Sequence, residues 1–73
     1  MTQTLLPEYQ QRVLDELNEL EARTHRLYDF FHTKLYESLD PAEQQRLTRQ
    51  HDLMTQYAEV LHERILAFPP VSQ

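Results

Sequence analysis

The chain has 73 residues, no cysteine, no glycine and a formal net charge of −5. The missing cysteines exclude thiolate chemistry, disulfides and Cys-based zinc sites, and the missing glycines exclude the phosphate-cradling loops of P-loop and dinucleotide-binding proteins. The acidic balance argues against a general nucleic-acid binder, which needs clustered Lys and Arg facing phosphates.

Residues 1–4 read as a polar tail, with Thr4 a candidate cap and Pro7 suited to the first turn of a helix, where its missing N–H costs nothing. From about residue 5 no glycine or proline interrupts a run of good helix formers. Val13, Leu17, Leu20, Leu27 and Phe31 follow one another at three- and four-residue steps, with Thr24 in the vacant position, and so share one helical face. This predicts a first helix over about 5–35. Its end is expected between Phe31 and Tyr36, where Thr33 and Ser38 allow a break and a short helical turn can follow. Its first third is acidic through Glu8, Asp15, Glu16, Glu19 and Glu21, whereas Arg23, Arg26, Lys34, Arg46 and Arg49 gather around the turn. Pairs such as Glu19 with Arg23 fit solvated helix faces.

Asp40, Pro41 and Glu43 supply an N-cap, an N1 proline and an acidic N3 residue, a pattern resembling a capping box. A second helix is therefore predicted over about 41–67, stopped by Phe68, Pro69 and Pro70 because a residue preceding proline is pushed out of the α region. Its expected seam is Leu47, Met54, Tyr57, Leu61 and Phe68, with Gln50 and Arg64 at polar positions. The fold class is all-α: an antiparallel helical hairpin forming one domain over 1–73. Pairing places Phe31 near Leu47, Thr24 near Met54, Leu20 near Tyr57, Leu17 near Leu61 and Val13 near Arg64 or Ile65.

Leu14, Tyr28 and Leu35 on the first helix, and Leu53, Val60 and Ala67 on the second, repeat at multiples of seven beside this seam. They widen the apolar face beyond what one partner helix covers, and a chain this short without disulfides gains stability by assembling. A homo-oligomeric helical bundle is the expectation, with Leu14, Tyr28, Leu35, Leu53 and Val60 at its interface.

Nothing in the sequence resembles a catalytic constellation, so a non-enzymatic protein without a cofactor is expected. Ser38 and Ser72 are the only serines, and neither sits in a nucleophile elbow. His25, Asp29 and His32 share a helical face, and Glu59 with His62 has the spacing used in di-iron bundles, but the second such pair is missing and surface histidines are the preferred reading. At the open end of the hairpin, Tyr9, Arg12 and Glu16 are expected close to Arg64, with Tyr57 two turns away. A seam arginine needs a partner, and Glu16 is the expected one. The alternative is that Tyr9, Arg12, Tyr57 and Arg64 line a pocket between protomers for an anionic ligand, arginine on phosphate and tyrosine on base. Arg23, Arg26 and Lys34 form a second candidate cluster. Gln50 fits a polar position that sets register and oligomeric state.

The residues Tyr9-Gln10-Gln11-Arg12-Val13, Glu16, Leu20, Leu27, Phe30-Phe31, Leu39, Glu43, Gln50, Met54, Tyr57, Leu61, Arg64-Ile65 and Phe68 together resemble a family of short phage and prophage proteins first labelled from a crAss-like gut phage. The resemblance implies a helical hairpin of phage origin more than an activity. The chain is also similar in size and helical character to helical-hairpin sponges that sequester cyclic or modified nucleotide signals, without matching their motifs. A phage accessory protein that counters host defence by sequestering a cyclic or ADP-ribose-type nucleotide is therefore expected. The alternative is an interaction protein that docks an apolar helix face on a host or phage protein. With no apolar run of about 20 residues and no basic-then-apolar leader, neither a membrane nor nucleic acid is an expected partner, and the cytoplasm of the host cell is the expected location.

Overall fold

The computed structural model describes residues 7–69. These form an all-helical antiparallel hairpin of α1 (Glu8–Phe30), α2 (Lys34–Glu37) and α3 (Pro41–Leu66), with α1 packed along α3. No helix among the described residues is long and apolar enough to cross a membrane.

Helix α1 starts later than its periodicity predicts. Pro7 occupies the N-cap position with φ −51° and ψ 147°, and its carbonyl accepts from the Gln10 and Gln11 amides. The proposed Thr4 cap and the two chain tails lie outside the described residues. At the other end α1 stops at Phe30 with Phe31 as its C-cap, at the near edge of the expected range, and α2 is the short turn that follows: Thr33 adopts an extended backbone and its hydroxyl oxygen accepts from the Tyr36 amide at 3.1 Å. The same hydroxyl donates to the Phe30 carbonyl at 2.7 Å. One β-branched residue thus closes α1 and caps the short α2.

Asp40 caps α3 as its position implies, Oδ2 accepting from the Ala42 amide at 3.0 Å with Pro41 behind it. The capping box is half made. Glu43 pairs with Arg46 at 2.8 Å instead of reaching back. Gln44 Nε2 donates to the Tyr36 carbonyl at 2.8 Å and ties α2 to α3. Phe30 and Phe31 pack against Tyr36, with ring centroids 5.9 and 5.0 Å apart, so the turn carries an aromatic cluster of its own.

The core is small. Val13, Leu17 and Leu20 of α1 surround Leu61 of α3, which is fully buried. Met54, Ala58, Ile65 and Phe68 pack against this group. The α1 seam follows its predicted spacing and extends to Gln10, which is buried and donates from Nε2 to the Tyr9 hydroxyl at 3.1 Å.

The α3 seam departs from its prediction. It runs through Leu47, His51, Met54, Ala58, Leu61 and Ile65, while Gln50, Tyr57 and Arg64 are exposed. Both frames share Leu47, Met54 and Leu61 and differ by one residue at the alternate positions. The observed frame turns a partly buried Ile65 inward where the other would turn in a guanidinium, and desolvating an arginine costs far more than burying a tyrosine returns. Ala58 packs against the core cluster that holds Leu61.

Two stability effects follow. Leu61→Ala should cost about 2–5 kcal/mol, measured by urea denaturation at fixed protein concentration. Ile65→Ala should cost at least about 1 kcal/mol, whereas Arg64→Ala should stay within about 0.5 kcal/mol. The reverse order at these two positions would contradict the observed frame.

Candidate functional site

The hairpin is one helix layer thick, with extents of 56 × 24 × 14 Å, so α1 and α3 leave two broad faces beside their seam. Each face carries a shallow groove of different chemistry.

On one face the histidines gather. Glu21, His25 and Tyr28 of α1 meet His51, Thr55 and Ala58 of α3. His62 Nε2 lies 3.0 Å from Glu21 Oε2, the one side-chain ion pair between α1 and α3 among the described residues. Both side chains are about half exposed (56% and 51%), so solvent screens the pair and it adds at most about 1 kcal/mol. The Tyr28 ring lies between His32 and His51, with centroids 4.8 and 6.2 Å away. The His25, Asp29, His32 triplet does not converge: His25 Nε2 is 3.4 Å from Asp29 Oδ2, and His32 Nδ1 lies 3.0 Å from the Tyr28 carbonyl. Among the described residues no group of three or more His, Cys, Asp or Glu is placed to hold a metal ion.

On the other face a groove is lined by Arg46, Arg49, Gln50, Leu53, Met54 and Tyr57, all from α3. The Gln50 amide approaches the Met54 sulfur at 3.9 Å. Arg46 is held by Glu43 at 2.8 Å, whereas Arg49 makes no ion pair among the described residues. A phenol ring for stacking, two guanidinium groups and a neutral amide can together receive a planar anionic ligand. These residues sit on a continuous helix, which fixes their relative positions.

The residues singled out at the open end are only partly brought together. Tyr9 is half exposed and packs its ring edge-on against Phe68, with centroids 5.7 Å apart. Arg12 Nη2 bridges to Glu8 at 2.7 Å within α1. Arg64 is exposed, and the expected Glu16 partner does not reach it: no ion pair involves Arg64 among the described residues. Tyr57 shares a helix stripe with Arg64 about 10 Å further along, but its groove neighbours are Arg46, Arg49 and Gln50. Continuing the Tyr57 stripe backwards by steps of seven and four reaches Gln50 and Arg46, whereas no such signal points to Arg49. In the second cluster, Arg23 is held to Glu19 at 3.7 Å, and Arg26 and Lys34 are exposed on either side of the Thr33 break.

The proposed interface residues also divide. Tyr28 belongs to the histidine face, and Leu14 and Glu21 precede it at heptad spacing, whereas Leu53 lines the arginine groove with Val60 one heptad on. Leu35 stands apart on α2 and is exposed.

A protein-family model described as Sequestin matches residues 7–67. No curated protein and no solved structure matches the chain significantly.

Proposed function

The chain belongs to the Sequestin family, and from that premise we propose that it is a non-enzymatic binding protein that sequesters a nucleotide-type immune signal. The observation that carries this reading is the family match over nearly the whole hairpin, whose name denotes sequestration. The resemblance to short phage and prophage proteins supports a phage accessory role against host defence, exerted in the host cytoplasm. The exposed cations support the ligand chemistry.

In this reading a cyclic or ADP-ribose-type nucleotide sits between protomers. Arg64, free of intramolecular ion pairs among the described residues, meets phosphate. Tyr9 and Arg12 close the open end. Sequestration requires affinity without turnover, and side chains mounted on rigid helices supply a fixed array of donors at low ordering cost.

A signal nucleotide at a hundredfold its Kd should stabilise the native chain by about 2.7 kcal/mol, because a ligand that binds only the folded state shifts the unfolding equilibrium. Differential scanning fluorimetry with cyclic dinucleotides and ADP-ribose-type compounds measures this as a raised Tm. Absence of any shift well above micromolar ligand would contradict the reading. Arg64→Ala should weaken binding by roughly ten- to a hundredfold, the loss expected for a charged hydrogen bond to phosphate.

A further inference from the structure

Helix α3 carries two heptad stripes set about a quarter turn apart, and only one of them is covered. The first is the intramolecular seam. The second is Arg46, Gln50, Leu53, Tyr57, Val60 and Arg64, at steps of four and three, and every member is exposed. Leu53 is 57%, Tyr57 44% and Val60 50% accessible at its centre. A helix with two such stripes packs against two partners, and α1 takes only one of them.

The charges bordering the open stripe identify the second partner. On the side of the stripe away from α1 lie Arg49, Gln56 and Glu63, each seven residues from the next and each exposed. The row is antisymmetric in charge about Gln56, positive at one end and negative at the other. Arg49 and Glu63 are both without an ion pair among the described residues. If two α3 helices cross antiparallel about a two-fold axis near residues 55 and 56, Arg49 faces the partner's Glu63, Gln56 faces its own copy, and Glu63 faces the partner's Arg49. In the same register the layers of the stripe interleave, Leu53 against the partner's Tyr57 and Gln50 against the partner's Val60. A parallel pairing loses this match, because the positions on the other side of the stripe are Met54 and Leu61, already packed inside the hairpin.

We propose that the open α3 stripe is the self-association surface of this protein, and that its occupant is a second copy of the chain, paired antiparallel α3 to α3 with Arg49–Glu63 bridges repeated by symmetry. The pairing turns the one-layer hairpin into a four-helix dimer and places Gln50 at a polar core position that selects register. It also sets each Arg64 in the layer of the partner's Arg46, beside the Glu43 carboxylate that already holds Arg46. Both ends of the interface thereby gain cations from two chains, where the nucleotide reading locates its pockets. That last point rests on the proposed function, whereas the interface holds with or without a nucleotide.

The test is light scattering of the full chain after gel filtration, with circular dichroism to confirm that each variant is helical. The wild type should run at twice its 8.8 kDa mass at micromolar concentration. Glu63→Arg and Arg49→Glu, each turning two attractions into repulsions, should weaken dimerisation by about tenfold or more. The double variant R49E/E63R should restore it. Leu53→Lys should give a helical monomer. A wild-type monomer, a dimer insensitive to the single charge reversals, or a double variant no better than the singles would each overturn the proposal. Because mass is read without ligand, failure here is separate from failure of the nucleotide reading, which the thermal shifts report.

Discussion

The structure depends on which face of α3 turns inward. Leu47, Met54 and Leu61 are common to both candidate frames, so hydrophobic spacing alone leaves the rotation of the helix undecided by about a seventh of a turn. The decision comes from the cost of burying a guanidinium. Rotating Arg64 into the seam would take a guanidinium out of water, while the alternative brings Ile65 and Ala58 against the fully buried Leu61. Everything on the surface follows from this rotation, because it determines which α3 side chains remain open.

What remains open is unusual for a solvated helix face. The exposed stripe is apolar at its centre and cationic at its ends, whereas the opposite face of the hairpin is lined by histidine, threonine and a tyrosine held between two imidazoles. The first arrangement suits a second helix and an anion. The second suits solvent, with one screened ion pair joining α1 to α3. The core of this short chain has few fully buried side chains, and packing the open stripe against another copy would supply apolar burial that the hairpin alone lacks. Assembly and ligand capture then draw on the same helix.

Much of the fold was legible in the sequence because several signals agreed. The α1 seam has a single apolar frame, and Asp40-Pro41 starts α3 with both a side-chain acceptor and a pre-set φ. The break at Thr33 was legible as a possibility, but Leu35 and Tyr36 continue the periodicity, and only the extended backbone at Thr33 ends the helix. The periodicity misleads on the α3 seam because Tyr57 offers more apolar surface than Ala58, while the charge at Arg64 points the other way. In that frame Tyr57 and Arg64 point to the open end with Tyr9 and Arg12, whereas the observed rotation puts Tyr57 in a groove with Arg46 and Arg49. Leu14 and Tyr28 were grouped with Leu53 and Val60 because seven-residue spacing reports which residues share a face of one helix, not which faces of two helices point the same way.

The rotation of α3 can be measured directly because the chain contains no cysteine. Single cysteines introduced in turn at positions 57, 58, 60, 61, 64 and 65 can be labelled with a maleimide, comparing rates at low and high protein concentration. At low concentration, positions 58, 61 and 65 should be protected and 57, 60 and 64 open, with protection spreading to 57 and 60 as concentration rises. Protection of 57 and 64 with free labelling at 58 and 65 would contradict the account.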